Sequence, residues 1–423
     1  MLDIKFIREN ADLVKQNCAN RNVSLDIDHL LEVDAKRRKL EQDLQHVRSE
    51  SNKISSQRDM DPAARAEAGK KLRAEGEALE AELRVVKAQA DDVLKMVPNL
   101  THPQTPIGAE ESDSVTIKTG KFPVPSFSFK PKDHLDLGRD LKIIDMEAGS
   151  KVAGSGFYFL KGKGALLEIA LQHHVIKKLI ARGYQFQITP DIANNDTLLG
   201  TGYVPRGNET NTYCIEDTNL SLIATAEITL CGQFRDEVLA ESQLPVKLVG
   251  LSHCFRTERA GGKATRGIYR VHQFTKVEMV VLCLPEDSEK IHQELLEIEM
   301  EVFDDLGLSY RVLDIASGDL GASAYRKFDI EAWMPGRGEA GEYGEVTSTS
   351  NCTEYQSRRL NIKYKPKNEK AAFVHTLNGT GVAISRAIVG LLENYQTKDG
   401  DIKFPPAVAQ ILGFSEILKS ESV

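Results

Sequence analysis

The sequence predicts an α+β protein in two parts. An N-terminal antiparallel helical hairpin of coiled-coil type precedes a larger domain whose mainly antiparallel sheet is flanked by helices. Three observations carry this. Between about residue 27 and residue 97, apolar or small side chains recur at alternating steps of three and four, the coiled-coil period. A linker-like stretch follows, punctuated by Pro98, Pro103, Pro106, Pro123, Pro125 and Pro131. Beyond it, strand-like runs outnumber the crossover helices a doubly wound parallel sheet would need. The expected division is 1–97 for the arm, 98–131 for the linker and 132–423 for the sheet domain.

In the first half of the arm the seam falls at Val33, Leu40, Leu44, Val47, Ser51 and Ile54. In the second half it falls at Leu72, Gly76, Leu79, Leu83, Val86, Ala90, Val93 and Val97. Between them Asp61 suits a helix cap and Pro62 the first helical turn. At 1.5 Å per residue each helix reaches roughly 40–50 Å. Ser51 and Gly76 thin the seam, so an arm of this kind exists to reach something; a dimerising coiled coil is the competing reading. Lys36, Arg37, Arg38, Lys39, Arg48, Lys53, Arg58, Lys70, Lys71 and Arg73 interleave with acids, as on any solvated helix surface. The arm is nonetheless near neutral while the remainder carries the negative charge, which fits contact with phosphates.

In the second part, Gly164 to Arg182 reads as an amphipathic helix with Leu166, Ile169, Ala170, Ile176, Leu179 and Ile180 on one side. Strand runs follow at Tyr184–Thr189, Ser221–Ala224, Val246–Leu251, Gly267–Phe274 and Val277–Leu282. A helix is expected from Asp287 to Leu306. Further strands are expected at Tyr310–Asp314, Lys327–Ala332, Glu345–Ser350 and Ala371–Leu377, with a last helix at Val382–Asn394.

Composition narrows the function. A chain of 423 residues with 41% hydrophobic residues can bury two domain cores. A net charge of −8 excludes a generally basic nucleic-acid binder, though not a local basic patch. Cys18, Cys214, Cys231, Cys254, Cys283 and Cys352 form no C-x-x-C pair and no zinc-spaced cluster, so reduced thiols and no zinc are expected. No apolar run approaches a membrane span. The N-terminus has no signal or transit character, so a cytoplasmic protein without membrane contact is expected.

Two separated stretches carry the chemistry. Phe255-Arg256-Thr257-Glu258 sits in a strand–loop–strand pattern; Asn378-Gly379-Thr380-Gly381 runs into an apolar helix bearing Arg386. Joining a carboxylate to the α-phosphate of ATP brings negative oxygens together, so such a site needs cations, a metal and orientation. Arg256 and Arg386 offer planar forks for carboxylate or phosphate. Glu258 and Glu345 offer oxygens for Mg²⁺ or an adenine amino group. The loop from Arg259 to Arg266, rich in glycine and cations, suits a lid over a polyanion. Alone, an R-x-E is as well explained by a surface ion pair and Asn-Gly-Thr-Gly by a turn. The pairs Gly154/Gly156 and Gly162/Gly164 form no dinucleotide fingerprint.

In combination these stretches resemble the seryl-tRNA synthetases, of the class II aminoacyl-tRNA synthetases, along essentially the whole chain. Gly164–Arg182 with the strand ending at Pro190 is similar to motif 1, which builds the dimer interface in that class. HCFRTERAGGKATRGIYRVHQFTKVE is similar to motif 2, and HTLNGTGVAISRAIVGLLENYQ to motif 3. EYGEVTSTSNCTEYQSRR is similar to the stretch between them, and Thr225-Ala226-Glu227 to the serine-binding triplet. The resemblance implies a class II catalytic domain and a homodimeric serine–tRNA ligase that uses ATP with Mg²⁺. Its acceptor is then tRNA(Ser), with tRNA(Sec) as an additional candidate, and the hairpin is its tRNA-binding arm.

Roles are implied residue by residue. Thr225, Ala226, Glu227, Glu278, Asn378 and Thr380 hold serine. Arg256 bridges the serine carboxylate and the α-phosphate, and Arg386 takes the γ-phosphate; these two are the catalytic pair. Thr257, Glu258, Val271 and Phe274 surround the adenine side of ATP. Glu345, Val346, Thr347 and Ser348 serve the ATP phosphates, with Glu345 and Ser348 as Mg²⁺ ligands. Three departures stand out: a motif 2 loop one residue short, threonine in the middle of Gly379-Thr380-Gly381, and a long glycine-rich loop from Pro335 to Glu342 read as a flexible excursion. A carrier-protein ligase would lack the long arm, and a non-catalytic RNA-binding homologue would have lost Arg256, Glu258, Glu345 or Arg386; all are present.

Overall fold

The computed structural model describes residues 1–57, 59–203, 211–258 and 267–421. Arg58 and the loop 259–266, both singled out above, lie outside them. The chain divides between Leu100 and Thr101 into two compact units.

The first unit carries helices α1 (Ile4–Glu9), α2 (Ala11–Asn20), α3 (Ile27–Ser56) and α4 (Pro62–Met96). Asp26 and Asp61 cap the two long helices through the His29 and Ala64 amides, each at 2.9 Å, with Pro62 in the first turn of α4. The long helices form the expected hairpin, crosslinked by Lys36–Glu82 and Arg48–Glu80, both 2.8 Å. Burial thins toward the tip: Leu40, Leu44 and Val47 are buried, whereas Ile54, Leu72, Gly76 and Leu79 are only half-buried. The base has a core of its own, Ile7, Val14, Ile27, Leu30, Leu94 and Val97, supplied partly by α1 and α2. Those two helices are too short for a periodicity argument, and the sequence reading did not mark them. Two of the cations counted there as surface charge have an internal task. The Asp34 carboxylate is buried and gathers Arg8 at 3.2 Å, Arg37 at 2.7 Å and Arg38 at 3.1 Å.

The second unit is built on an eight-stranded sheet among the described residues. Its strands are β1 (Val115–Thr119), β2 (Gln185–Ile188), β3 (Val246–Phe255), β4 (Gln273–Cys283), β5 (Tyr310–Asp314), β6 (Arg326–Met334), β7 (Glu342–Asn351) and β8 (His375–Ala383). The order is β1-β5-β6-β7-β8-β4-β3-β2, antiparallel throughout except for the β2–β3 edge pair. Strand β1 comes from the proline-rich stretch 98–131, so part of that stretch is an edge of the sheet.

Pleating sends alternate side chains to opposite faces. On β4, Val277, Met279, Val281 and Cys283 enter the main core. That core is shared with helices α5 (His134–Asp140), α6 (Lys163–Ala181), α8 (Ser288–Asp305) and α9 (Ile384–Asn394). On the other face Val280 and Leu282 are covered by a second cluster that includes Leu230 of α7 (Glu227–Gly232). Lys276 and Glu278 share that face with no apolar cover, and the floor of a site begins there.

Three expectations are corrected. The inward stripe of α6 is Leu167, Leu171, Val175 and Leu179. Leu166, Ile169 and Ile180 stay more than half exposed, because apolar residues line two sides of this helix and periodicity cannot tell which side meets the sheet. Residues 267–272 are not strand; β4 starts at Gln273. Gly267 adopts φ +78°, and the Ile268 amide is taken by His134, outside any ladder. Asn378-Gly379-Thr380-Gly381 is the middle of β8 and not a turn; the helix bearing Arg386 does follow it, starting at Ile384 instead of Val382.

Replacing Asp34 by alanine strips three arginines of one buried partner. The arginines left behind are partly exposed and can hydrate, so the expected loss is about 2 kcal/mol, the scale of charge-assisted hydrogen bonds, read by urea unfolding followed at the helical dichroism band. A loss below about 0.5 kcal/mol, the scale of an exposed pair, would refute the hub.

Candidate active site

A cavity of about 450 Å³ opens on the polar face of the sheet, within the usual size of small-molecule sites. Its floor follows from register. Glu278 of β4 is the cross-strand partner of Thr380 on β8, and Asn378 lies two residues along the same face. Ser350 of β7 pairs with Asn378, and Ser348 with Asp329 of β6. A bulge next to Val346 lets Glu345 and Ser348, three residues apart, point to one side.

The glycines of β8 are explained from below. A Cβ on Gly379 would lie 2.9 Å from Glu299 Oε1, and one on Gly381 3.0 Å from Val175 Cγ1. A side chain at either position would press the strand away from α6 or α8 by a few tenths of an ångström.

At one end of the cavity Glu227 is buried and accepts three hydrogen bonds: Gln356 Nε2 at 2.6 Å, Asn378 Nδ2 at 2.9 Å and Tyr203 Oη at 3.0 Å. Burial, and next the nearby Glu278, push its carboxyl upward. Glu278 is buried and paired with Lys276. Thr380 is buried above Glu299, whose Oε2 accepts from Thr347 Oγ1 at 3.0 Å.

At the other end Arg386, from α9, donates through Nη1 to the Glu345 carboxylate at 3.1 Å and to its main-chain oxygen at 3.0 Å. Burial opposes charge on Glu345, but Arg386, with Lys327 and Arg256, brings its carboxyl down to about 2. Arg256 lies over the Phe274 ring, 5.2 Å from its centroid. Glu258 takes a left-handed φ of +48° and pairs with Arg270 at 2.9 Å. Lys327 sits 3.3 Å from Asp329, whose carboxyl burial raises to about 7.

Thirteen of the sequence-predicted residues line this cavity: Arg256, Arg386, Glu227, Glu278, Asn378, Thr380, Glu258, Val271, Phe274, Glu345, Val346, Thr347 and Ser348. Three do not. Thr225 and Ala226 are buried outside the lining, and Thr225 Oγ1 accepts from the Glu227 amide at 3.2 Å, which braces that residue. Thr257 follows the strand end, its amide bonded to the Asn211 oxygen at 3.2 Å. Sequence reasoning missed Tyr203, Gln356, Lys276, Arg270 and Lys327. Lys276 was detectable in principle, as the one cation of β4; Lys327, beside Arg326 in a strand that also carries Asp329 and Glu331, gives no such signal, and neither do Tyr203 and Gln356.

The donor set suits magnesium. Glu345 is anionic, 40% exposed to the cavity, and shares its face with the Ser348 hydroxyl. Mg²⁺ typically takes one or two carboxylates and completes its shell with phosphate oxygens and water, so no larger cluster of acids is required.

An antiparallel sheet with Arg256 just past the end of β3 and Arg386 on the helix after the glycine-bearing β8 places the protein among the class II aminoacyl-tRNA synthetases. Residues 213–395 match the family "tRNA synthetase class II core domain (G, H, P, S and T)", and residues 1–101 match "Seryl-tRNA synthetase N-terminal domain". A serine–tRNA ligase of Rubrobacter xylanophilus is 49% identical over 98% of both chains. A seryl-tRNA synthetase from Pyrococcus horikoshii, solved with ATP, superposes with TM-score 0.90 at 37% identity, covering 99% of each chain. The cytoplasmic serine–tRNA ligase of Naegleria fowleri, solved with AMP, gives 0.85 at 32% identity over 99% of this chain and 98% of that one. The chain belongs to the seryl-tRNA synthetase family.

Burial pushes the Glu299 carboxyl well above its ordinary value of 4.5. The folded state therefore holds a proton that the unfolded chain has released once the pH passes that ordinary value. The site's contribution to stability is full below it and falls as pH rises toward the folded value. Glu299→Gln mimics the protonated acid and removes that slope. Its Tm relative to the parent chain should climb between about pH 5 and about pH 8; a flat difference would refute a protonated Glu299.

Proposed function

We propose that this chain activates L-serine with ATP and transfers it to tRNA(Ser), with tRNA(Sec) a second acceptor to be assayed. The observation that carries the reading is the union of two ends in one cavity. One end has buried acids and small hydroxyl and amide groups sized for serine; the other has two arginines for a triphosphate.

In the first step a serine carboxylate oxygen attacks the α-phosphorus of ATP and pyrophosphate leaves. Arg256 spans the carboxylate and the α-phosphate, neutralising charge where the two anions meet. Arg386 exchanges Glu345 for the γ-phosphate and draws the leaving group into line. Phe274 and Val271 hold the adenine, and Glu258 faces its amino group. Mg²⁺, held by Glu345 and Ser348, would screen the phosphate charge. In the second step a terminal ribose hydroxyl of tRNA attacks the adenylate carbonyl; AMP leaves and an ester remains.

Glu278 and Thr380 read the serine amine and hydroxyl, with Glu227, braced by Thr225 and Ala226, completing the ammonium site. Alanine or glycine would leave these buried polar groups unpaired, which discriminates more strongly than an added methyl does.

The arm 1–97 reaches for tRNA by shape and backbone. Two copies pair through the exposed apolar side of α6, where Ile169 is 61% exposed, together with Ile188 of β2 at 79%. Among the described residues no helix is long and apolar enough to cross a membrane, and a cytoplasmic setting suits the reaction.

Serine-dependent ATP–pyrophosphate exchange without tRNA is the test. Exchange with serine alone among the twenty amino acids is expected; none with any would overturn the reading. Arg256→Gln and Arg386→Gln should each lower the exchange rate by about 10²–10³-fold. Deleting 34–97 should abolish tRNA charging while sparing exchange. Ile169→Asp should shift the sedimenting species from dimer to monomer; an unchanged species would remove this face from the dimer.

A further inference from the structure

The loop from Pro335 to Glu342 was left without a task by the sequence, yet its base is tightly fastened. The Arg337 amide closes a turn onto the Met334 oxygen at 3.1 Å. The Gly336 amide donates to Glu393 Oε2 at 2.9 Å. A Cβ on Gly336 would lie 2.4 Å from the Asp133 backbone. The Arg337 guanidinium then lies over the ring of Tyr269, 4.7 Å from its centroid, while its Nε donates to Glu342 at 3.2 Å. Space for it depends on Gly344, where a Cβ would sit 2.5 Å from Arg337 Nη1.

Tyr269 connects this loop to the triphosphate end. Arg386 lies over the same ring, also 4.7 Å from the centroid, and its Nε reaches the Tyr269 oxygen at 3.4 Å. The Tyr269 hydroxyl donates to the Glu345 main-chain oxygen at 3.0 Å, the same oxygen that takes Arg386 Nη1. One buried pair fixes the neighbours of both stacking partners. His134 Nε2 accepts from the Ile268 amide at 3.1 Å, and its Nδ1 is 2.7 Å from Glu393 Oε1. An amide nitrogen can only donate, so Nε2 is bare and Nδ1 carries the hydrogen. Glu393, on the same helix as Arg386, thereby holds residue 268 through His134 and residue 336 directly.

We infer that Arg337 is a positioning residue for ATP, acting through Tyr269 on the orientation of Arg386. Two cations on one aromatic ring are tolerable because the ring face is electron-rich and because Glu342 and Glu345 each take one of them. Arg386 must leave Glu345 for a phosphate without losing its direction, and the Tyr269 ring is the surface along which it stays. Arg337 fixes that ring and adds positive potential beside the cavity without lining it. The inference rests on the ATP-site reading given above.

The test compares Arg337→Met, which keeps the stem and loses the planar cation, with Arg337→Lys. Calorimetric Kd for ATP without amino acid should rise about two- to thirtyfold in the methionine variant, with lysine recovering part of it through charge alone. In exchange assays KM for ATP should follow, while KM for serine stays within about twofold, a split that a general loss of structure would not give. In the background of Tyr269→Ala, Arg337→Met should add nothing further. An unchanged ATP Kd, an equal rise in both KM values, or additivity with Tyr269→Ala would each overturn the role of Arg337. A parent chain that binds ATP but exchanges with no amino acid would overturn the serine reading and leave the ATP measurement standing.

Discussion

The closeness with which strand β8 lies on the helices beneath it sets the height of the whole polar floor. A Cβ on Gly379 or Gly381 would crowd Glu299 or Val175. Thr380, between them, is thereby carried level with Glu278 on β4 and with Ser348 and Ser350 on β7. A single methyl at either glycine would lift the strand by a few tenths of an ångström or push α6 or α8 away. The cavity is thus a property of packing under the sheet as much as of the residues that line it.

A site for a triphosphate and an amino acid has to be charged while empty, and each charge then needs a resident partner. The structure gives each of four such cations a resident carboxylate. Glu345 holds Arg386, Glu258 holds Arg270, Asp329 holds Lys327 and Glu278 holds Lys276. Buried pairs of this sort contribute little net stability because desolvation offsets attraction. Their value lies in keeping cations aimed before the anion arrives, which spares reorganisation at the reacting centre. Glu299, under the floor, accepts from Thr347 and not from a cation, and burial pushes its carboxyl well above the ordinary range.

The helical arm obeys different economics. Its seam beyond Val47 is thin, so rigidity comes from the base, where α1 and α2 add a small core and Asp34 binds three arginines. Cations used in this way are not available to a polyanion. Lys39, Lys70, Lys71 and Arg73, further along the arm, are exposed.

Sequence alone determined the arm, the class of sheet and about half of the cavity lining. Heptads and the Asp61-Pro62 cap are local, whereas the start of β4 at Gln273 and the place of residues 378–381 inside β8 were not legible in the run of residues. Arginine in Phe255–Glu258 and after Gly381 is informative because few chemistries need a fork at both places. Only the tertiary structure decided which side of α6 turns inward, since both sides are apolar and the choice depends on what faces them. It alone placed Thr225, Ala226 and Thr257 outside the cavity, because burial is not encoded in a tripeptide. It also brought Tyr203, Gln356 and Arg337 to their partners across 24, 129 and 68 residues of chain. Contacts of that range depend on how the strands stack, and the pattern within any one strand carries no trace of its distant neighbour.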